Sequence, residues 1–286
     1  KYEKAAKKSG ARIVNCCGFD SIPSDLGNHF LQEQGKKQFG KYFNNVKLRV
    51  KAMKGGASGG TIASMAEMVV AAKADPQLRK EMGNPYILCG EKHGYSVRQI
   101  SVKKPEFDSD FNSWSAPFIM EAINARVVLR SNWLRKMAYG KDFSYGEAML
   151  TGPGKKGGLG AYGLTAGLGA FAGAMILDPV RNLMNKFVLP KPGEGPSLQD
   201  QLNGYFDILL LGKNKKGQEL RVQVTGDRDP GYGSTAKMLA QAGLCLAFDL
   251  PKEEKAGGFW TPATAMGDLL IDRLNEHAGL SFQIKE

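Results

Sequence analysis

Residues that build metal centres and disulfide frameworks are scarce here: the 286 residues include four cysteines and three histidines. Cys16, Cys17, Cys89 and Cys245 show no Cys-x-x-Cys spacing, and sequence neighbours such as Cys16 and Cys17 do not readily bridge each other. Neither a zinc ribbon nor a disulfide scaffold is expected, and a reducing, cytoplasmic setting fits best. His29, His93 and His277 lie far apart with no carboxylate or cysteine at ligand spacing, so no metal site is expected. Internal repeats and long low-complexity tracts are absent. Acidic residues are in deficit, 28 against 39 basic, giving a formal charge of +11. That balance suits an anionic partner, whether membrane surface, nucleic acid or phosphorylated cofactor. The basic residues fall in short clusters that read as solvated loops, and without aromatic-basic interleaving nucleic acid is not expected.

A hydrophobic content of 42% is enough for a substantial core in one large or two ordinary domains. The chain is organised around residues 13–27. A short apolar run, Ile13-Val14, meets Gly18 and then the cluster Asp20-Ser21-Ile22-Pro23-Ser24-Asp25, the pattern of a strand handing over through a tight turn to a helix. Pro23 suits the first helical turn, and Leu26 and Phe30, four apart, share an inward face. In open α/β sheets ligands collect at the carboxyl ends of strands, so this turn is a candidate site wall. With Asp20 and Asp25 at the helix start, a neutral ring suits it better than a phosphate.

Further along, residues 46–52 alternate apolar Val46, Leu48 and Val50 with Lys47, Arg49 and Lys51, predicting a strand with one wet face. A glycine-rich turn at 55–61 precedes an Ala- and Met-rich helix ending before Asp75-Pro76. It could cradle an anion but lacks the lysine of a Walker loop. A strand is predicted over 95–102 and a helix over 115–133, with Arg126 and Arg130 on one face as either an anion clamp or surface charges. Residues 157–177 carry no charge and seven glycines. Three readings stay open for them: a buried or tunnel-lining helix, a membrane-touching or lipid-contacting hairpin, or a true span, the last requiring everything after Asp178 to lie opposite the rest of the chain. A hairpin is predicted over 204–226, a rigid turn at 227–234, a helix over 235–248, a second turn at 257–262 and a last amphipathic helix over 264–278.

The run Cys16-Cys17-Gly18-Phe19-Asp20-Ser21-Ile22-Pro23-Ser24-Asp25-Leu26-Gly27 closely resembles the signature of the saccharopine dehydrogenase-like oxidoreductases, a group that includes trans-acting enoyl reductases. Ser58-Gly59-Gly60-Thr61, the runs 124–132 and 229–238, and Gly257-Gly258-Phe259-Trp260-Thr261-Pro262-Ala263 agree with it in order, over nearly the whole chain. The resemblance implies a two-part enzyme in which a Rossmann half binds NADP or NAD. That half is expected to lie outside this sequence, which opens on Lys1 and has no Gly-x-Gly-x-x-Gly after an apolar strand near the start. The expected fold is α/β (α+β): a substrate domain with a mixed sheet and flanking helices, plus a Rossmann remnant. Residues 1–35 would end the nucleotide domain, 36–256 would form the substrate side, and 257–286 would return to the nucleotide domain.

By the same resemblance, a complete version transfers hydride to an unsaturated or imine-type carbon of a small, lipid-like substrate, and this piece alone is inactive. Gly18, Phe19, Asp20, Ser21 and Ser24 are expected next to the cofactor, and Ser58, Gly59, Thr61 and Thr235 next to the substrate. Tyr232 and Asp20 are the expected catalytic groups. The competing expectation is a non-catalytic lipid or membrane-surface protein on a reductase scaffold, in contact through 157–177. A second copy of the chain is the remaining candidate partner.

Overall fold

The computed structural model describes residues 2–56, 59–187, 189 and 193–285. Ser58 and residues 190–192 lie outside them. Helix α1 (Glu3–Ser9) leads into strand β1 (Arg12–Val14), helix α2 (Ile22–Phe39), strand β2 (Asn45–Lys54) and helices α3 (Gly59–Ala74) and α4 (Pro76–Met82). Strands β3 (Glu106–Asp108) and β4 (Ser113–Ala116) precede α5 (Glu121–Leu134), β5 (Ser144–Gly152), α6 (Gly154–Ile176), α7 (Asp178–Phe187) and α8 (Leu198–Leu202). Then come β6 (Tyr205–Lys213), β7 (Glu219–Gly226), α9 (Gly233–Leu244), a π-helical turn (Cys245–Asp249), β8 (Gly258–Trp260), α10 (Pro262–Ala265), α11 (Asp268–His277) and β9 (Leu280–Lys285).

Seven strands form a mixed sheet in the order β3-β4-β5-β2-β6-β7-β9, so the α/β expectation with a mixed sheet and flanking helices holds. Within it β2 and β5 run parallel and the other neighbours antiparallel. Alternate residues Val46, Leu48, Val50, Leu210, Val222 and Val224 are buried with Ile22, Leu26 and Leu31 of α2 in one core. Each such side chain contributes roughly 1.5–3 kcal/mol on burial. Gly27 lets α2 lie close on this sheet, since a Cβ there would stand 3.1 Å from Val224. Apart from the large sheet, β1 and β8 make a parallel pair with Ile13 opposite Phe259.

Several elements differ from the sequence expectation. Helix α2 runs to Phe39 beyond the strand-to-helix run read over 13–27, and Gly35 within it is a close-packing position, where a Cβ would come within 2.2 Å of the Phe43 ring. Arg49, expected on the wet face of β2, is 1% exposed because Asp108 of β3 reaches it. Residues 95–102 form no strand: Gln99 accepts from the Tyr145 amide at 3.0 Å and donates to the Phe143 carbonyl at 3.2 Å, a side chain doing the work of a ladder. The helix expected from 115 begins at Glu121, because Ser113–Ala116 pairs with β3 and β5. The turn at 257–262 contains β8, and the last helix is divided at Gly267, whose φ of +50° is left-handed. Asp178-Pro179 opens a further helix, α7.

Helix α6 is long and apolar enough to cross a bilayer, yet 11% of its apolar stretch is buried. The buried-helix reading of 157–177 therefore fails. A single crossing is incompatible with the sheet, because β5 before α6 and β6 after it both pair with β2.

Candidate functional site

The turn after β1 is built from its own polar groups. Cys16 takes φ +60°, the Gly18 amide donates to Asp20 Oδ1 at 2.8 Å, and the Ile22 amide closes back on the Gly18 carbonyl at 2.9 Å. From the far part of the chain, Thr235 in the first turn of α9 accepts the Phe19 amide at 3.0 Å and donates to the Pro230 carbonyl at 2.8 Å. Gly18 is required there, since a Cβ would stand 2.8 Å from Thr235 Cγ2. Asn15 is exposed, and Cys16, Phe19 and Asp20 are half-buried, so these form the accessible face of the turn. Burial and the nearby Asp20 carboxylate push the Cys16 and Cys17 thiols up to about 12, which keeps them protonated and poor nucleophiles.

Around α9 the loops converge. Asp229, fully buried, accepts the Tyr232 amide at 3.0 Å and the Gly233 amide at 2.7 Å, capping the helix. Tyr232 donates its hydroxyl to the Glu194 carbonyl at 3.3 Å, and the same carbonyl accepts the Gly59 amide at 3.0 Å. Its ring covers Gly195, where a Cβ would come within 2.2 Å. Thus Gly18, Phe19, Asp20 and Thr235 form one contact group, and Tyr232 and Gly59 meet through Glu194. Thr61 lies in the first turn of α3.

Ser21 and Ser24 are buried, and their hydroxyls serve the interior. Ser21 donates to Asn124 Oδ1 at 3.1 Å, Asn124 Nδ2 donates to Glu147 at 2.9 Å, and Tyr145 donates to Glu147 at 2.6 Å. Burial raises the Glu147 carboxyl above its ordinary range, with Tyr145 and Asn124 opposing. Beside this chain, Asp25 accepts from the Ser131 hydroxyl and from the Ala263 amide at 2.8 Å, while Ser131 and Thr261 oxygens lie 2.6 Å apart. Full burial pushes Asp25 up to about 6 despite those donors. Sequence reasoning missed Glu147 because it reads as one acid in an unassigned segment. Asn124 was visible only as part of a family-like run.

On the far side of α5, a cleft of about 800 Å³ is lined by Arg98, Lys103, Glu121 and Arg126 among others. Burial, and then Glu147, push Glu121 up to about 7. Arg126 and Arg130 are no anion clamp: they donate to backbone carbonyls, Arg126 to Asn84 at 3.3 Å and Arg130 to Phe259 at 3.0 Å. A Gly-x-Gly-x-x-Gly spacing does occur late in the chain, at Gly152, Gly154 and Gly157, between β5 and α6. Gly157 serves close packing there, since a Cβ would meet the Gly152 carbonyl at 1.9 Å. No strand follows α6 to carry the acidic residue of a dinucleotide site, because α7 comes directly after it. Among the described residues no group of three His, Cys, Asp or Glu side chains is placed to hold a metal.

The chain is 37% identical over 299 residues to a Mycobacterium tuberculosis protein named as a candidate trans-acting enoyl reductase, covering 99% of this chain and 69% of that protein. It is 34% identical over 293 residues to the trans-acting enoyl reductase of Mycobacterium ulcerans, and 33% over 285 residues to that of Mycobacterium bovis, covering 96% of this chain and 67% of each. No protein-family model and no solved structure matches it.

Proposed function

Because the chain belongs to the family of trans-acting enoyl reductases, we propose that it forms the acceptor side of a nicotinamide-dependent oxidoreductase of the saccharopine dehydrogenase-like type. The observation that carries the reading is the turn at the carboxyl end of β1, clamped by Thr235 from α9. Its accessible face, Phe19 and Asp20 beside Asn15, suits the neutral ring of a nicotinamide. It does not suit a pyrophosphate: Asp20 and Asp25 bring negative charge to that helix start, and the Ser21 and Ser24 hydroxyls are used inside the protein. The phosphate-binding part would then belong to the portion of the relatives outside the match. The parallel β1–β8 pair, separate from the large sheet, supports assigning the segments around β1 and β8 to the nucleotide side, whereas α2 packs on the large sheet and β9 pairs with β7 within it.

When bound, NADPH or NADH would supply a hydride to the unsaturated carbon of a lipid-like enoyl substrate. The chain's own contribution is positional. Thr235 fixes the Phe19 backbone, the Gly59–Thr61 helix start lines the acceptor side, and Tyr232 stands at the loop junction with a weakly held hydroxyl able to donate a proton.

The test uses a polypeptide comprising this chain with its neighbouring native sequence. NADPH and NADH are titrated by fluorescence, and cofactor oxidation is then followed by absorbance with a 2-enoyl thioester. Saturable binding and substrate-dependent oxidation are expected. Absence of nucleotide binding overturns the reading.

A further inference from the structure

Helices α6 and α7 present to solvent what a soluble protein buries. In α7, Val180, Leu183 and Phe187 follow the i, i+3, i+7 spacing of a core-facing stripe, yet Leu183 is 59% and Phe187 69% exposed. Leu159 and Tyr162 on α6 are 77% and 60% exposed. Glycines 163, 167, 169 and 173 face open space, with nothing within 4 Å of an added Cβ, so packing inside this chain does not explain them. Both helices therefore carry exposed apolar surface.

Its charge identifies the occupant. Across residues 154–187 the cations are Lys155, Lys156, Arg181 and Lys186, against the single acid Asp178. Asp178 is neutralised by Arg181 at 2.8 Å and Lys73 at 3.2 Å. Lys155 and Lys156 are exposed in the first turn of α6, where the helix dipole adds to their attraction for anions. An apolar face with basic residues along it is the composition of a helix lying in the headgroup boundary of an anionic bilayer.

We propose that α6 and α7 dock this protein flat on an anionic phospholipid surface, with Leu183 and Phe187 inserted among the acyl chains and Lys155, Lys156 and Lys186 against headgroup phosphates. The chain rests on the surface and does not cross it, since β5 and β6 share β2 in one sheet. This goes beyond the reductase reading, and its test measures binding alone, so either can fail without the other.

The experiment is flotation with vesicles of phosphatidylcholine alone and of phosphatidylcholine with phosphatidylglycerol, at low and high salt. Co-flotation with the anionic vesicles, weakened by salt, is expected. The exposed double variant Leu183→Glu with Phe187→Glu and the charge reversal Lys155→Glu with Lys156→Glu should each reduce it at least tenfold while circular dichroism shows an unchanged fold. No flotation with either vesicle overturns the proposal, as does flotation that neither variant changes. A stable dimer in solution that dissociates in the Leu183/Phe187 variant, with no flotation, overturns it in favour of a second copy as occupant.

Discussion

Arg49 of the central strand β2 and Asp108 of the edge strand β3 form an ion pair at 2.7 Å, each side chain 1% exposed. The pair has supporting bonds: Arg49 also donates to the Leu48 carbonyl at 2.9 Å, and Lys47 reaches Asp108 at 3.3 Å. Removing one partner leaves the other charged and buried. Arg49→Met is therefore expected to cost about 3–5 kcal/mol in urea unfolding, and the double change Arg49→Met with Asp108→Leu to recover a large part of that loss. A single variant as stable as the parent would show that the pair is not buried in solution.

Asp25 supplies a pH signature. Its folded-state value near 6 lies above the ordinary 3.8, so the native state holds the proton more tightly than the unfolded chain. The associated stability is complete below about pH 4 and is lost as pH rises through 6, a decline of roughly 3 kcal/mol. Glu121 and Glu147 act in the same direction, so the comparison must be with Asp25→Asn, which cannot titrate. Its urea midpoint should fall less between pH 4 and 7 than that of the parent, measured at each unit. Parallel curves would show that folding does not raise Asp25 above its ordinary range.

The Thr235 clamp can be tested without altering shape. Thr235→Val keeps the volume but leaves the Phe19 amide and the Pro230 carbonyl unpaired, a local cost of about 1–3 kcal/mol. On the reductase reading kcat/KM falls about tenfold and Thr235→Ser restores it. Equal turnover in the Val and Ser variants would separate the clamp from catalysis.

Tyr232→Phe loses only a 3.3 Å hydroxyl contact with a loop carbonyl, so stability should change by no more than about 1 kcal/mol. If the hydroxyl supplies the proton, kcat drops about a hundredfold or more. An unchanged kcat would assign Tyr232 to packing on Gly195.

What could be read in the sequence was what is local. The turn into α2 announces itself through Gly18, Asp20 and Pro23, and the β6–β7 hairpin through its polar loop, where the Asn214 amide closes on the Gln218 carbonyl at 3.0 Å. What escaped depends on partners distant in sequence. Arg49 reads as solvent-facing until Asp108 is brought beside it, and 95–102 has strand composition while its pairing with β5 passes through Gln99. Of the site, Gly18 and Thr235 were singled out separately, and their contact follows only once α9 packs on the turn. The buried Ser21–Asn124–Glu147 chain joins three elements that no spacing rule connects.

The glycines of α6 allow the docking face to be weighed against intrinsic stability. In an exposed helix each glycine is less favourable than alanine by about 1 kcal/mol, and at Gly163 and Gly167 an added methyl meets open space. Gly163→Ala with Gly167→Ala should therefore stabilise α6 in solution by up to about 2 kcal/mol, read as increased hydrogen-exchange protection along that helix. If the glycines serve a smooth surface against lipid, the same variant should retain flotation with anionic vesicles, because methyl groups add apolar area without removing charge. Reduced protection would mean that α6 packs closely against something in solution at these positions, and the open face would then have to be reassigned to a helix of a second copy.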